Sequence, residues 1–265
     1  MTEERDIVGV NQYNEYDEFL KNPINIVIPM AGAGSRFAVA GYDVPKPFIV
    51  FDNKMMIEHV LSSFKSINAI FTLIIQEKFL TEQRNQIQDL QKKYKLNIVT
   101  VPKLTMGAAI TALAAHKAID SSCDIIFADS DNIFNEQDVM NFVSSVRRRN
   151  LKGALLTFNS SNPCFSYAKV DDEGFLISTK EKEVISNHAI CGMYYFKDLE
   201  DFKDAVIDLV VESDTQKGEF YMSNVYNHLK KFTDKIGIYD ISHFDCVGTP
   251  QQLQEYLKEK ICERV

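Results

Sequence analysis

Apolar runs and helix-periodic segments alternate along most of the chain. The run Ile24-Asn25-Ile26-Val27-Ile28-Pro29-Met30 is nearly unbroken, as expected of a strand covered on both faces. Further strands are predicted over residues 69–75, 97–101, 124–128 and 153–158. Helical spacing falls between them, over 56–67, 79–94, 108–119 and 137–149. This alternation predicts parallel βα units in one sheet with helices on both sides. The rhythm then changes. Strand-like runs at 167–170, 175–179 and 190–196 lie close together, and Asp171-Asp172-Glu173-Gly174 reads as a hairpin turn. Helices over 198–212 and 219–232, a strand over 236–239 and a helix over 250–263 complete the pattern. The fold class expected is α/β, a doubly wound, mostly parallel, Rossmann-like sheet with a small β-rich part. No repeat or low-complexity linker divides residues 24–265, so they are expected to form a single domain. Residues 1–23 read as an N-terminal extension, within which 11–20 have the spacing of a short amphipathic helix.

Bulk composition narrows the class of partner. A length of 265 residues leaves ample chain for a core. The formal charge is −8 and the isoelectric point is near 5.2, which argues against a nucleic-acid surface. The basic run Arg147-Arg148-Arg149 ends a predicted helix, where cations favour the helix dipole. No apolar run approaches the ~18 residues of a membrane span, and Met1-Thr2-Glu3-Glu4-Arg5-Asp6 shows no signal-peptide core. The five cysteines, Cys123, Cys164, Cys191, Cys246 and Cys262, lack metal-ligand spacing. Their odd number and scatter read as a reduced, cytoplasmic protein. His59 and His116 fall within helical patterns and read as packing or surface residues.

Candidate chemistry begins where the first strand ends. Ala31-Gly32-Ala33-Gly34-Ser35-Arg36-Phe37 is glycine-rich and basic, and Pro45-Lys46-Pro47 follows shortly. Glycines let backbone N–H groups approach an anion closely, and Arg36 adds a planar fork suited to phosphate oxygens. A dinucleotide fingerprint is not met, because Phe37 holds the third glycine position, and no Walker string occurs. The second constellation is Asp129-Ser130-Asp131-Asn132, after the strand predicted over 124–128. Ligands of open α/β sheets bind at the carboxyl ends of strands, and carboxylates with phosphate oxygens suit Mg²⁺. Either aspartate also suits the cap of the helix that follows.

The stretch from Gly32 to Arg36, with Pro45-Lys46-Pro47 and Met56-Ile57-Glu58-His59-Val60, resembles the signature of sugar-phosphate nucleotidyltransferases, such as glucose-1-phosphate thymidylyltransferases. The resemblance runs from about Asn25 to about Leu257. It implies the nucleotidyltransferase (GT-A) type of sheet, with a nucleotide-binding half over 24–135 and an acceptor-binding half over 136–265. It implies transfer of a nucleoside monophosphate from a triphosphate to a phosphorylated sugar or polyol, with pyrophosphate released and Mg²⁺ as cofactor. A supply role in capsule or lipopolysaccharide goes with it. Cytidine is the first expectation for the base, then uridine or deoxythymidine, and no residue pattern fixes it.

Carried over by residue, the resemblance gives Ala31, Gly32, Ala33, Gly34, Ser35 and Arg36 to the nucleotide, with Arg36 on the outer phosphates. Lys46 stabilises charge on the α-phosphate. Met106 and Gly107 lie by the base or ribose. Asp131 and Asp245 hold the metal, although two residues separate Asp245 from Gly248 where the family pattern has one. Asn132, Glu181, Lys182 and Glu219 face the acceptor, with Lys182 on its phosphate, although Glu183 stands where proline usually follows that lysine. Lys180 is a rival for the same role. Two other readings stay open: a glycosyltransferase using the D-x-D string Asp129-Ser130-Asp131, and a non-catalytic sensor of nucleotide sugars. Oligomeric state is not legible, and a homo-oligomer is compatible with the sequence.

Overall fold

Two separate apolar cores explain why the early strands carry no polar face. In a computed structural model, which describes residues 18–263, neighbouring residues of one strand enter opposite cores. Ile26 and Ile28 join Leu73 and Ile75 on one side of the sheet. Val27 joins Ile74 and Phe127 on the other. Each such side chain, fully withdrawn from water, contributes about 1.5–3 kcal/mol.

The strands are β1 (Ile24–Pro29), β2 (Val50–Phe51), β3 (Lys54–Met55), β4 (Ala69–Gln76), β5 (Leu96–Val101), β6 (Ile125–Ala128) and β7 (Asn132–Ile133). They continue as β8 (Gly153–Asn159), β9 (Ser166–Val170), β10 (Leu176–Glu181), β11 (His188–Phe196), β12 (Ile236–Ile241) and β13 (Asp245–Cys246). The helices are α1 (Glu18–Lys21), α2 (Ser35–Val39), α3 (Met56–Ser62), α4 (Phe79–Glu82) and α5 (Arg84–Lys93). Then come α6 (Ala108–Leu113), α7 (Glu136–Arg148), α8 (Leu199–Val211), α9 (Met222–Leu229) and α10 (Pro250–Glu263). Residues from α3, α5 and α7 cover one face of the sheet. Those from α6, α8 and α9 cover the other.

The main sheet runs β10-β9-β11-β6-β1-β4-β5, with β8 and β12 branching from β11. The four strands β6, β1, β4 and β5 are parallel. The long strand β11 is antiparallel to β6, β8 and β9. It therefore joins the parallel part to the β-rich part within one sheet. The carboxyl ends of β1 and β6 open side by side, at the edge where α/β proteins place ligands.

Several boundaries differ from expectation. The helix expected over 79–94 is broken at Gln83, which has φ −119° and ψ 30°. The helix expected over 219–232 starts at Met222. Those over 56–67 and 108–119 end at Ser62 and Leu113 and continue as turns. Asn135 caps α7, its side chain accepting from the Gln137 N–H at 2.8 Å. Neither Asp129 nor Asp131 is thus the cap of that helix. Of the N-terminal helix expected over 11–20, residues 18–20 are helical and 11–17 lie outside the described residues.

The basic run at the end of α7 is not simply a solvated helix end. Arg147 is largely withdrawn from water, its side chain 9% exposed, and meets Asp124 through Nε at 2.8 Å and Nη2 at 2.5 Å. It also donates to the carbonyls of Asn22 at 3.0 Å and Pro23 at 2.9 Å, tying the start of β1 to α7. The Tyr195 hydroxyl donates to Asp124 at 3.0 Å. Removing one partner leaves a buried charge unpaired. Asp124→Ala should lower the free energy of unfolding by about 3–5 kcal/mol, read from urea denaturation.

Candidate active site

The glycine loop reaches its position because β1 ends and the chain turns at once into α2. Gly34 makes that turn at φ 60°, and a Cβ there would lie 3.4 Å from Cβ of Lys46. Lys46 opens a short 3-10 turn, Lys46–Phe48, in which Pro47 and Phe48 are buried. Those two anchors hold the lysine stem at the loop. Its Nζ donates to Oδ2 of Asp131 at 2.7 Å. The sequence therefore brings together a residue after β1 and a residue after β6, as expected for Lys46 and Asp131.

Asp131 is held from the far end of the chain. The Val247 N–H donates to its carbonyl at 2.9 Å. A Cβ on Gly248 would come within 2.4 Å of its Oδ2, so only glycine lets that segment lie against the carboxylate. The two-residue strands β7 and β13 complete the clamp, pairing Asn132 with Cys246 and Ile133 with Asp245. Such short strands carry no periodic signal, and sequence reasoning missed them.

A cleft of about 580 Å³ opens over these residues, and Arg36, Lys46, Asp129, Asp131, Glu181 and Lys182 all line it. Arg36 is exposed, and its side chain has no hydrogen-bond or ion-pair partner among the described residues. Glu181 is buried, and its Oε2 accepts from the hydroxyls of Ser223, at 3.0 Å, and Ser166. Lys182 leaves β10 at φ 55°. Its Nζ meets the Tyr221 hydroxyl at 3.2 Å and lies 4.8 Å from the ring centroid. Lys180 is exposed and does not line the cleft. The alternation of β10 separates it from Thr179 and Glu181, so Lys182 is the better-placed of the two.

Asp129 matters more than its sequence context suggested. Its N–H donates to the Gly192 carbonyl at 2.9 Å, fixing it beside β11. Gly192 has φ 81°, and a Cβ there would fall 2.4 Å from both Oδ2 of Asp129 and Nδ2 of Asn132. Burial first, then the Asp131 charge, pushes the Asp129 carboxyl up to about 7, with Lys46 opposing. A sequence signal existed in the glycine that β11 carries in the middle of an apolar run.

Asp245 is a correction. Cys246 lines the cleft and Asp245 does not. Successive strand residues face opposite sides, and Asp245 bonds instead to His243 Nε2 at 3.0 Å. The extra residue before Gly248 shifts the alternation by one. Burial and then Asp131 push the Cys246 thiol up to about 12. Glu219 is also outside the cleft, exposed in a turn where it exchanges 3.1 Å backbone bonds with Gln216, while Tyr221 and Met222 line the wall. Met106 and Gly107 do not line it either. They are pinned to Phe220, whose N–H donates to the Met106 carbonyl at 2.8 Å, and Ala108 is the residue that faces the cleft. Ala31 is buried, and Gly32, Ala33 and Ser35 are exposed and do not line the cleft. Ala33 and Gly34 line a second cavity of about 570 Å³.

The cation donors at hand are oxygens. Asp129 and Asp131 supply carboxylates. Asn132 is buried, its Nδ2 donates to the Cys191 carbonyl at 2.9 Å, and its Oδ1 has no partner among the described residues. An unpaired buried amide oxygen beside two carboxylates fits a hard cation such as Mg²⁺.

Comparison with known proteins agrees with this geometry. A family model described as "Nucleotidyl transferase" matches residues 26–235. The bifunctional protein GlmU of Methanocaldococcus jannaschii is 24% identical over 246 residues, covering 90% of this chain and 55% of that protein. The chain thus spans about half the length of the curated relatives it matches. The crystal structure of a nucleoside-diphosphate-sugar pyrophosphorylase from Vibrio cholerae is 25% identical, with a TM-score of 0.74 over 88% of this chain and 99% of that one. The inositol-1-phosphate CTP transferase of T. maritima shares the fold, with a TM-score of 0.73 at 16% identity over 89% and 93% of the two chains.

The raised Asp129 carboxyl has a sign that can be measured. It holds its proton more tightly folded than unfolded, where the ordinary value is near 3.8. Its contribution to stability therefore falls as pH rises from about 4 to about 7, and it stays a penalty above that. Without divalent cations, Asp129→Asn should be more stable than the parent at pH 8, by an amount on the order of a few kcal/mol. The gap should close as pH is lowered toward 4, read as Tm against pH for both proteins.

Proposed function

The chain belongs to the nucleotidyl transferase family, and we propose that it transfers a nucleoside monophosphate from a triphosphate to a phosphorylated sugar or polyol, releasing pyrophosphate. The observation that carries this reading is the 2.7 Å contact of Lys46 with Asp131 in a cleft that also presents Arg36 and Lys182. Two polyanions must meet there. At ~4 Å and an effective dielectric near 20, one pair of unit charges repels by about 4 kcal/mol. The work of the site is to neutralise and align them.

Arg36, free of protein partners, grips the outer phosphates that leave as pyrophosphate. Lys46 turns from Asp131 to the α-phosphate oxygens as charge builds there. Lys182 holds the acceptor phosphate, and Glu181, fixed by two serine hydroxyls, accepts from acceptor hydroxyls. An acceptor phosphate oxygen attacks the α-phosphorus in line. A new P–O bond forms there, and the bond to the bridging oxygen of the leaving pyrophosphate breaks. A phosphate monoester is largely ionised near neutral pH, with its second pKa at about 6, so no general base is required. Mg²⁺ is the proposed cofactor, held by Asp131 with Asp129 and Asn132 beside it, and it would supply charge neutralisation at phosphate oxygens.

Similarity to a probable mannose-1-phosphate guanylyltransferase of rice supports a sugar phosphate as acceptor. The fold shared with the inositol-1-phosphate CTP transferase supports a polyol phosphate and CTP as further members of the same class. We take CTP first, then UTP or dTTP, with a product that feeds capsule or lipopolysaccharide synthesis in the cytoplasm. A matrix of triphosphates against sugar and alditol phosphates, scored by pyrophosphate release, tests this. At least one pair should turn over, and Arg36→Ala and Lys46→Met should each lower kcat/KM by about 10² or more. Silence across the whole matrix would sink the reading.

A further inference from the structure

A second set of cation-binding side chains lies where α8 meets α9, on residues that do not line the cleft. Asp208 and Glu212 are one helical turn apart at the end of α8, and His228 stands on α9. A carboxylate oxygen from each acid and a ring nitrogen of His228 all lie within 4.8 Å of one another. Like charges at this helical spacing are destabilising by themselves, so the pair calls for a cation between them. The Lys231 ammonium occupies that place, 2.5 Å from Oε1 of Glu212, 3.2 Å from Nδ1 of His228 and 3.5 Å from Oδ2 of Asp208.

His228 is already arranged as a ligand. Its side chain is only 4% exposed. An ammonium can only donate, so Nδ1 accepts from Lys231 and the ring proton sits on Nε2. Nε2 donates to Oδ2 of Asp214 at 3.1 Å. Oδ1 of Asp214 in turn accepts from Nδ2 of Asn224 at 3.0 Å. A carboxylate on the far ring nitrogen is what orients a metal-bound histidine and raises its basicity. Negative charge is also in excess: the carboxylates of Asp208, Glu212 and Asp214 are joined through these contacts to one ammonium. We propose that this is a second metal site, in which Nδ1 of His228 and the carboxylates of Asp208 and Glu212 bind Zn²⁺ and the Lys231 ammonium gives way to it. Imidazole with carboxylates suits zinc, whereas Mg²⁺ takes oxygen ligands. Three protein ligands leave a fourth position to water. Zinc bonds of about 2.0–2.2 Å require the ligand atoms to close in. The carboxylates of Asp208 and Glu212 reach solvent and can do so around the fixed imidazole, and exposed Lys231 can swing out to water. The metal would tie α8 to α9 across residues 213–221, the segment that brings Tyr221 to the cleft wall.

This inference stands apart from the proposed transfer, and metal binding tests it directly. Zn²⁺ is titrated calorimetrically into the parent, His228→Gln and Lys231→Met, all in excess Mg²⁺ so that the oxygen ligands proposed for the cleft are engaged. Tm is read with and without Zn²⁺. The parent should bind a Zn²⁺ equivalent that His228→Gln does not. Lys231→Met, with no ammonium to displace, should bind it about tenfold more tightly and gain more in Tm on adding Zn²⁺. A parent that binds no Zn²⁺, a folded His228→Gln that keeps every equivalent, or a Lys231→Met that binds no more tightly than the parent overturns the site. So does Ca²⁺ bound in the same place as tightly as Zn²⁺, which would mark an acidic patch alone. Lys231 is exposed, so its variant decides if His228→Gln does not fold.

Discussion

One contact organises the cleft: the Lys46 ammonium on the Asp131 carboxylate at 2.7 Å. Lys46 is placed by a turn after β1, and Asp131 by the end of β6. These strands are hydrogen-bonded neighbours in the sheet. The pair is therefore as rigid as the parallel sheet beneath it. The late segment reaches the same point from the opposite end of the chain, through the β7–β13 ladder and Gly248. Each charge is partly exposed, with side chains 22% and 20% accessible, so their mutual attraction is moderated by water. That moderation suits a pair that, in the proposed transfer, exchanges partners when phosphates arrive.

Legibility in the sequence follows the range of the signal. Runs of six or more residues with a steady period were read correctly in kind: β1, β4, α7 and α10 lie where the pattern put them. The glycine loop and Lys46 were legible because their chemistry is local. Asp131, Asn132, Glu181 and Lys182 were reached through a family resemblance, and the structure brings all four to one cleft. What failed depends on contacts between distant residues. Asp245 and Cys246 differ only in which side of a two-residue strand they face, and that face is set by pairing with Asn132 and Ile133. Residue spacing before Gly248 hinted at the shift without giving its direction. Asp129 looked like a neighbour of Asp131, because the burial that makes it unusual comes from β11, over sixty residues away. Gln83 gave no sign at all, since helical periodicity runs straight through it.

The two halves expected from the sequence are not separable bodies. Strand β11, from the acceptor half, is hydrogen-bonded to β6 of the nucleotide half from Met193 to Phe196. Gly192, the next residue along, packs on Asp129 and Asn132. Any shift of the β-rich part against the parallel part would therefore move the Asp129 carboxylate. The residues proposed to bind the two substrates therefore hang from one hydrogen-bonded frame.

The D-x-D string is compatible with either transferase chemistry, and the residues around it favour the proposed nucleotidyl transfer. A glycosyltransferase of this fold needs carboxylates for a metal and a nucleotide sugar, and Asp129 with Asp131 would satisfy it. It has no need of an unpaired guanidinium at the mouth, nor of a lysine already touching the metal-side carboxylate. Those two cations suit the electrostatic problem of the proposed transfer, the approach of a second phosphate to a triphosphate. Arg36, Lys46 and Lys182 line the same cleft as the carboxylates, with Lys182 held against Tyr221. In the proposed transfer these cations would offset the charge of the phosphates that meet in the cleft. Asp129, held near neutrality by burial and by Asp131, is the one group in this array whose charge a bound cation would most readily change. If the proposed cation binds there, its affinity and the stability of the free protein are opposed through that single carboxyl.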